Sequence, residues 1–386
     1  MTFTWTDFSE KYDDNAVVEN CSFQPPLPPA KALEGHVFIQ GDNYPVLKKL
    51  LPDYHESVQI IYIDPPYNTG NDFTYNDDFA TSGDRHSKWL SFMNRRLQLA
   101  RQFLSSDGCI FIAIDQSELY VLKLLCDQIF GEENFVNDFM WLHGKGKKDK
   151  WSRTLQQHTL CYAKEKKHLA SFSDFETTDW AKKNVDNDPR GDWFSGSISF
   201  SEQRSNPKHK NFYEITSPSG KKWRRQWQVS KTQMQEFLAQ NKIYFGPAPD
   251  YDSVPRLKIF NQEETEVIPR NIIDCVETTR SAQRHLDQLL GEKGAFDNPK
   301  PVDLIEHLIF ITQMKKDATV MDFFAGSGTT FEAVTNLNAS DGGNRRCILV
   351  QKDENGISQL CGKRIAAVAA RDENCGDVLV TKLEEN

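Results

Sequence analysis

The sequence predicts an α/β protein with a doubly wound parallel sheet and an inserted α+β module. Strand-like and helix-like patterns alternate over residues 36–140, stop at Trp141 and return near Pro301. Such alternation is typical of a parallel sheet that is covered by helices. Between the two alternating regions there are only short β-like pieces, such as residues 159–163 and 212–216, with frequent turn residues. Four regions are predicted. Residues 1–35 form an N-terminal arm, residues 36–140 the first half of the sheet, residues 141–265 the insert and residues 266–386 the second half of the sheet.

Each predicted strand is a short apolar run, rich in β-branched residues, that ends at a polar or glycine-containing turn. The strands are expected at residues 37–40, 58–63, 109–114, 318–324 and 346–351. The helices have apolar residues at helical spacing. They are expected at residues 44–51, 89–104, 117–130, 302–314, 331–337 and 357–370. Ser117 is the expected N-cap of its helix, and the proline-rich N-terminal arm is expected to be extended and packed on the body or on a partner.

The charge of the chain is distributed unevenly. The whole chain has a net charge of −9, but residues 141–260 hold 22 Lys and Arg against 13 Asp and Glu, a net charge of +9, and the remainder carries −18. The same segment contains six of the eight tryptophans. A basic region of this kind favours contact with the phosphates of a nucleic acid. The alternative is a solvated basic face over ordinary core aromatic residues.

Hydropathy and cysteine pattern argue against several classes of protein. The chain of 386 residues has a mean hydropathy of −0.60. No apolar run approaches the roughly 20 residues of a membrane span, and the first residues lack the features of a signal peptide. The eight cysteines show no C-x-x-C spacing, and the histidines form no H-x-x-x-H array. We therefore expect a cytoplasmic protein with reduced cysteines, no membrane association and no metal site.

The sequence Asp64-Pro65-Pro66-Tyr67 ends the strand at residues 58–63 abruptly. Because proline cannot donate to a sheet and fixes φ, the chain must form a stiff loop here. Open α/β sheets bind their ligands at this carboxyl end of the strands. The loop offers a carboxylate, backbone carbonyls and an aromatic ring. This combination suits a planar amino group attached to a flat ring.

A second loop follows the predicted strand at residues 318–324. Gly326 and Gly328 allow the backbone to approach a ligand closely, and the next helix offers its N-terminal amides. The loop lacks the third glycine of the dinucleotide fingerprint, because Phe331 stands there, and it is not a Walker A loop. The closest fit is a carboxylate-bearing small molecule, such as the methionine part of S-adenosylmethionine. Taken alone, the loop is equally compatible with a tight structural turn. Since both loops follow strands of one sheet, we expect them at the same sheet edge.

Together the two loops resemble the amino-methyltransferases of DNA. The first loop matches their catalytic motif, and residues 324–328, Phe-Ala-Gly-Ser-Gly, match their cofactor motif. The order of the motifs, with a basic module between them, is similar to the β group, and in particular to type III modification subunits and related site-specific adenine methyltransferases. The likeness covers nearly the whole chain from Gly41 onward, although type III modification subunits are generally longer. It implies a Rossmann-like methyltransferase sheet that depends on S-adenosylmethionine, is permuted, and carries a target-recognition insert.

The resemblance also implies roles for individual residues. Asp64, Pro65, Pro66 and Tyr67 form the catalytic loop, in which Asp64 and the carbonyl of Pro65 accept the two N–H groups of an exocyclic amino group. Tyr67 stacks on a base that has been flipped out of the duplex. Further candidates for contact with the base are Phe79 and Asn68.

The implied cofactor-binding residues lie in the second loop and at neighbouring strand ends. They are Asp42, Lys300, Pro301, Asp322, Phe324, Ala325, Gly326, Ser327, Gly328, Thr329 and Gln351. Asp42 and Asp115 fit equally well as helix caps. In the basic insert, the candidates for DNA contact are Arg190, Arg204, Lys221, Lys222, Arg224 and Arg225, most of which would only position the duplex.

The leading hypothesis is a site-specific, adenine-specific DNA methyltransferase with S-adenosylmethionine as cofactor and double-stranded DNA as partner. Aspartate at position 64 favours adenine, since the family more often has serine there for cytosine, but an N4-cytosine enzyme stays open. A protein or RNA amino-methyltransferase and a non-catalytic DNA-binding subunit also stay open. A homodimer and a restriction subunit are compatible partners. The resemblance implies a bacterial or phage-encoded protein that is cytoplasmic and associated with the nucleoid.

Overall fold

The computed structural model describes residues 3–70, 79, 84–143, 150–176, 184–260, 265–372 and 375–386. The chain divides into two compact units, one formed by Met1–Ser173 with Ile268–Asn386 and the other by Asp174–Val267. The helices are α1 Asn15–Glu19, α2 Asn43–Tyr54, α3 Arg85–Phe103, α4 Leu119–Phe130, α5 Lys231–Ala239, α6 Thr279–Leu290, α7 Val302–Ile311, α8 Thr329–Asp341 and α9 Ile357–Ala369. Within the described ranges, no helix has the length and apolar character needed to cross a bilayer.

The strands are β1 Cys21–Gln24, β2 His36–Gln40, β3 Val58–Ile63, β4 Leu104–Ile114, β5 Phe135–Leu142, β6 Gln156–Ala163, β7 Asp174–Glu176, β8 Trp193–Ser197, β9 Phe212–Thr216, β10 Lys222–Gln226, β11 Ile243–Tyr244, β12 Arg256–Phe260, β13 Thr265–Val267, β14 Ile272–Ile273, β15 Thr319–Asp322, β16 Arg346–Gln351 and β17 Val378–Glu385. Several bounds match the sequence prediction closely, including those of β3, β9 and β16.

The first unit is organised around a ten-stranded sheet with the order β1-β17-β2-β16-β15-β3-β4-β6-β5-β14. The strands from β17 to β4 run parallel, and β6 runs antiparallel to both of its neighbours. The chain continues from β3 through α3 to β4 on one side, and from β15 through α8 to β16 on the other. The connections thus diverge between β3 and β15, and open sheets bind ligands at such a point. The predicted permuted α/β sheet is confirmed.

Both faces of this sheet are covered by helices. Ile61 and Ile63 of β3 belong to the core that includes α2, α3 and α4, whereas Ile60 and Tyr62 belong to the core that includes α7, α8 and α9. Side chains alternate between the two faces along a strand, so β3 must be apolar on both. The burial of β3 on both sides gives the loop that follows it a rigid base.

The second unit begins later in the chain than the predicted insert. Trp141 lies on β5 and residues 159–163 lie on β6, and both strands belong to the main sheet because β5 pairs with β6 and β6 pairs with β4. The boundary at residue 141 is therefore corrected to Asp174. The alternating pattern of an antiparallel pair explains the difference, since it resembles the pattern of the short strands in the second unit.

The predicted arm, residues 1–35, packs as part of the first unit. β1 pairs with β17, a C-terminal strand that the sequence analysis did not predict. Arg95 of α3 binds Asp13, with 2.6 Å between Nε and Oδ1, and Arg96 binds Glu10, with 2.8 Å between Nη1 and Oε1. The predicted packing of the arm on the body is confirmed, but the arm contains helix α1 as well as strand β1 and is not simply extended.

The start of α4 also differs from the prediction. The helix begins at Leu119, and Ser117 is not its N-cap. The backbone N–H of Ser117 instead donates to Asp115 Oδ1 at 2.8 Å. Asp115 thus orders the turn between β4 and α4.

The second unit has its own small core between short antiparallel strands. Its sheets are β10-β9, β11-β12-β8 and β13-β7. Trp223 and Trp227 are buried with Ile215, which gives these two tryptophans a structural role. A buried carboxylate, Asp188, also binds Lys258 Nζ at 2.8 Å.

Candidate active site

The carboxyl ends of five neighbouring parallel strands open into a cavity of about 1400 Å³ in the first unit. The side chains at these ends of β2, β16, β15, β3 and β4 are, in sheet order, Asp42, Gln351, Asp322, Asp64 and Asp115, and all of them line the cavity. Both loops singled out in the sequence therefore meet in one cavity, at the point where the chain connections diverge. Among the residues that the structure describes, no group of three or more His, Cys, Asp or Glu could hold a metal ion.

Asp64 is held by two side-chain donors. Tyr67 Oη donates to Asp64 Oδ1 at 2.6 Å, and Lys300 Nζ donates to Oδ2 at 2.7 Å. Lys300 Nζ also donates to Tyr67 Oη at 2.7 Å, which closes a triangle of three side chains. On the other side of the loop, the carbonyl of Pro66 accepts from Trp89 Nε1 at 2.7 Å. A carboxylate offers about four lone-pair positions, so Asp64 is oriented by these bonds and can still accept others.

The two further candidates for contact with a base differ in position. Asn68 is 1% exposed, and its amide donates to Glu118 Oε1 and, at 3.3 Å, to the carbonyl of Arg85. Asn68 is not among the residues that line the cavity, so its predicted contact with a base is corrected to a support of the loop. Phe79 does line the cavity, and its ring centroid lies 5.5 Å from that of Phe92.

Asp322 organises the loop at the end of β15. Its Oδ1 accepts from the backbone N–H of Phe324 at 2.9 Å, and its Oδ2 accepts from Thr330 Oγ1 at 2.5 Å. Burial raises the pKa of Asp322 to about 7, and this effect outweighs the two hydrogen bonds, which lower it. The carboxyl group therefore closes the loop and is protonated below neutral pH.

The free energy of unfolding is expected to fall between about pH 4 and pH 7 because of Asp322. Its pKa rises from 3.8 to about 7 on folding, so the folded state binds a proton that the unfolded state has lost. The stabilisation is full below the unfolded pKa and is lost as pH rises through the folded pKa, at up to about 1.4 kcal/mol per pH unit. Urea denaturation across this range should show a smaller decline for Asp322→Asn than for the wild type. An equal or steeper decline in the variant contradicts the assignment.

The glycine loop, residues 324–328, presents bare backbone to the cavity. Gly326 has φ +53°, and its N–H donates to Gln351 Oε1 at 2.7 Å. A Cβ atom at Gly326 would lie 3.3 Å from the ring of Phe296, which also lines the cavity. The absence of a side chain thus leaves room at the point where β15 and β16 end.

A buried ion pair supports the glycine loop from behind. Arg364 Nε of α9 lies 2.9 Å from Glu332 Oε2 of α8, and the two side chains are 1% and 2% exposed. Arg364 Nη1 also donates to Ser327 Oγ at 3.1 Å and to Thr329 Oγ1 at 2.8 Å. Although burial acts to raise the pKa of Glu332, a hydrogen bond from His285 and the charge of Arg364 hold it at about 2.

Most of the predicted cofactor residues line the cavity. They are Asp42, Lys300, Asp322, Phe324, Ala325, Gly326, Ser327, Thr329 and Gln351. Gly328 and Pro301 are not among the lining residues, and they are the N-caps of α8 and α7. Asp42 lines the cavity and also caps α2. Lys300 differs most from the prediction, since its Nζ binds Asp64.

Several buried charges around the cavity were not identified from the sequence. Arg96 of α3 is 1% exposed, and its Nε donates to Asn43 Oδ1 at 2.6 Å. Arg96 and Glu10, which pair, both line the cavity. Arg96 and Arg364 each lie on the apolar face of a helix. That position is itself a signal, because a buried cation requires an anionic or polar partner.

The six basic residues that were predicted to contact DNA fall into two groups. Arg190 brackets Asp188 with bonds of 2.8 and 2.7 Å and holds the pKa of that carboxyl well below its usual range. Arg225 is 7% exposed and binds Glu202 at 3.2 Å. Arg225 is buried, so its predicted role is corrected to support of the second unit. Arg190 also supports this unit but is itself exposed, as are the other four: Arg204, Lys221, Lys222 and Arg224.

Comparison with known proteins places this site in a family. The family described as DNA methylase matches residues 58–360. The StyLTI Mod subunit of a type III restriction-modification enzyme from Salmonella typhimurium is 35% identical over 379 residues, covering 87% of this chain and 57% of the relative. The EcoPI Mod subunit of Escherichia phage P1 is 34% identical, covering 83% and 58%. The type II methyltransferase M.KpnI of Klebsiella pneumoniae is 29% identical, covering 85% and 82%.

The matched range contains both loops of the cavity and the whole second unit. The chain spans less than three-fifths of the length of the two Mod subunits and more than four-fifths of M.KpnI. The resemblance predicted from the two loops is confirmed by these similarities, and the chain belongs to the DNA methylase family.

Proposed function

We propose that the protein is a site-specific DNA methyltransferase that transfers a methyl group from S-adenosylmethionine to the N6 amino group of a flipped-out adenine. The observation that carries the proposal is the shared cavity, into which Asp64 and the glycine loop both open. One loop can hold an amino group and the other can hold a small ligand with a bare backbone. Relatives that are named as methyltransferases and modification subunits support the proposal.

The glycine-loop side of the cavity fits S-adenosylmethionine. The backbone at Gly326 lacks a side chain that would project toward Phe296, and the carboxylates of Asp42 and Asp64 suit a positively charged ligand. The residues that we assign to hold the cofactor are Asp42, Phe324, Ala325, Gly326, Ser327, Thr329 and Gln351. When bound, S-adenosylmethionine supplies a methyl group on a positively charged sulfur and becomes a neutral thioether.

The Asp64 side of the cavity fits the amino group of the base. The lone pair of an exocyclic amino nitrogen is delocalised into the ring, which makes the nitrogen a poor nucleophile. If Asp64 and the carbonyl of Pro65 accept its two N–H bonds, the nitrogen is drawn toward tetrahedral geometry and its lone pair becomes available. Positive charge that develops on the nitrogen is stabilised by the Asp64 carboxylate, which is already oriented. The methylated nitrogen releases one proton, and we assign Asp64 as its acceptor.

The aromatic rings near Asp64 can bind the flat face of a base. Tyr67 is fixed by its hydrogen bond to Asp64, and Phe79 lines the same cavity. Stacking on such rings offsets part of the cost of removing a base from the duplex. We propose that Tyr67 stacks on the base and that Phe79 contacts it from another side.

Asp64 favours adenine over cytosine as the substrate base, because aspartate is the residue that the adenine-specific members of the family more often carry. The geometry of two acceptors around one amino nitrogen applies equally to N4 of cytosine. The test of function must therefore identify the methylated base as well as its sequence context.

Methylation-sensitive sequencing of DNA from a host that expresses the chain tests the proposal. We expect N6-methyladenine at one position of a short recurrent sequence, and none in a host that expresses Asp64→Ala. Modified cytosine in place of modified adenine would show that cytosine is the substrate base. The absence of any new modification, with folded protein present, would overturn the proposed function.

The second unit is proposed to bind DNA through its exposed basic residues. Lys222 and Arg224 alternate with the buried Trp223 along β10, so they lie on its outer face. Replacing Arg224 with alanine is expected to weaken binding of many duplex sequences similarly, because contacts to phosphate carry no base information. The slope of log affinity against log salt concentration should fall by about 1.

Arg190 provides the matched control for this measurement. Its guanidinium binds Asp188 and the carbonyl of Gln240, so Arg190→Ala is expected to lower Tm. Arg224→Ala is expected to leave Tm unchanged. Titration of labelled duplex at several salt concentrations, together with thermal melting of both variants, separates the two roles. A salt slope for Arg224→Ala that equals the wild-type slope argues against the DNA contact.

Protein partners are proposed from the relatives. Because the Mod relatives are named as subunits of restriction-modification enzymes, we propose that the protein associates with a restriction subunit. We also propose that it acts on cytoplasmic DNA and forms a homodimer. Light scattering of the purified protein, alone and with a co-expressed restriction subunit, tests both associations.

A further inference from the structure

Lys300 reaches Asp64 from a distant part of the chain. It lies immediately before α7, and its side chain is 9% exposed. Its Nζ is 2.7 Å from Asp64 Oδ2, 2.7 Å from Tyr67 Oη and 5.1 Å from the centroid of the Tyr67 ring. A nitrogen with N–H donors therefore lies against the carboxylate and the ring to which the proposed function assigns the amino group and the base.

We propose that Lys300 Nζ occupies the position of the target amino group in the base-free enzyme, and that the entering base displaces it. This inference rests on the proposed function and adds to it a residue that competes with the substrate. We call this the placeholder role of Lys300: its ammonium group binds Asp64 until the base arrives, and it affects the reaction only through Asp64.

The chemistry of the amino group requires the displacement. During transfer of the methyl group, positive charge develops on the attacking nitrogen. An ammonium group that stayed on Asp64 would lie within a few ångströms of that charge and would oppose it. Withdrawal of Lys300 removes this effect.

The placeholder has a function before the base arrives. The Asp64 side chain is 28% exposed, and a partly buried carboxylate without a partner carries a desolvation cost. By binding Asp64, Lys300 offsets this desolvation cost. The closed triangle of hydrogen bonds also keeps Asp64 in contact with Tyr67. The acceptor thus stays in place, but only a ligand with its own N–H donor can replace the lysine without loss.

The alternative is that Lys300 permanently supports Asp64 and remains bound while the base is present. The two roles predict opposite effects on the gain in DNA affinity that the target amino group provides. If Lys300 is displaced by the base, replacing Lys300 should increase this gain. If Lys300 is a permanent support, replacing it should disorder Asp64 and decrease the gain.

The experiment compares two duplexes that differ only at the target base, once the recognition sequence is known. One carries adenine and the other carries purine, which lacks the amino group. Affinities of the wild type and Lys300→Met for both duplexes are measured in the presence of S-adenosylhomocysteine, which cannot transfer a methyl group. We expect the adenine-over-purine affinity ratio to be about tenfold larger in Lys300→Met, the size of one hydrogen bond to a charged group.

Lys88→Met is the matched control. Lys88 lines the same cavity but lies over the ring of Phe8, 5.8 Å from its centroid. Its removal takes the same charge from the cavity and should leave the adenine-over-purine ratio unchanged. Lys300→Arg keeps a cation that can bind Asp64 and should keep a ratio near that of the wild type.

A ratio that is unchanged or smaller in Lys300→Met overturns the placeholder role. Thermal melting and affinity for S-adenosylhomocysteine establish that the variant is folded, and Lys300→Leu, which also lacks an N–H donor, replaces it if Lys300→Met does not fold. The wild type is first tested for methyl transfer to the adenine duplex. If no transfer occurs, the proposed function fails and the role of Lys300 fails with it. If transfer occurs, the ratio alone decides the role of Lys300.

Discussion

Replacing Asp64 with alanine is expected to lower kcat for methyl transfer by about 10³-fold. The substitution removes the acceptor that activates the amino nitrogen and stabilises its developing charge. It also removes the partner of Lys300 Nζ and Tyr67 Oη. The glycine loop is not altered, so binding of S-adenosylhomocysteine should persist. Single-turnover transfer to duplex DNA and calorimetric titration of S-adenosylhomocysteine measure the two quantities.

Asp64→Asn refines this prediction. Asparagine has the same size but one acceptor oxygen and no charge, so we expect its kcat to lie between those of the alanine variant and the wild type. Single-turnover transfer measures it beside the other two. A wild-type rate in Asp64→Ala would remove Asp64 from the proposed mechanism. Loss of S-adenosylhomocysteine binding in the same variant would show that Asp64 supports the cofactor site instead.

Replacing Arg364 with methionine is expected to lower the free energy of unfolding by about 3–5 kcal/mol. The substitution leaves the buried carboxylate of Glu332 without its buried guanidinium partner. It also removes the donor to Ser327 Oγ and Thr329 Oγ1. The glycine loop should therefore become less ordered, and affinity for S-adenosylhomocysteine should decrease together with stability.

Arg371→Met is the matched control for Arg364→Met. Arg371 also lies near Glu332, with 3.5 Å between Nη1 and Oε1, but its side chain is 49% exposed. Exposed ion pairs contribute at most about 1 kcal/mol, so this variant should be nearly as stable as the wild type. Urea denaturation of the two variants shows whether the loss of stability depends on the burial of the arginine or only on its charge. Equal destabilisation would show that the buried position of Arg364 is not what makes its pair important.

The parts of the fold that the sequence predicted best are those with strong local patterns. β3 is an apolar run that ends at two prolines, and β16 is an apolar run that ends at a polar residue, so both were found at residues 58–63 and 346–351. β17 was missed because its sequence contains charged residues and becomes a strand through pairing with β2 and β1. Pairing between distant segments is not visible in a local pattern.

The candidate site, too, could be predicted only as far as local sequence patterns determine it. The positions of the two loops follow from parallel strands, whose carboxyl ends lie at one edge of the sheet. The contact between Lys300 and Asp64 joins residues 236 positions apart, and it depends on the path of the chain before α7. The resemblance implied that Asn68 contacts the base, but its φ is positive and its side chain binds Glu118. Side-chain direction after a tight loop could not be derived from residue type.

The most direct test of the proposed activity is mass-spectrometric analysis of nucleosides from duplex DNA after incubation with the purified protein and labelled S-adenosylmethionine. Asp64 and the glycine loop share one cavity, and on this basis we predict labelled N6-methyladenine, formed in duplex DNA and absent with Asp64→Ala. Labelled N4-methylcytosine would support the mechanism at the amino group but contradict the prediction that adenine is the substrate base. No labelled nucleoside, from protein that is folded and binds S-adenosylhomocysteine, would contradict the assignment of this cavity as a DNA methyltransferase site.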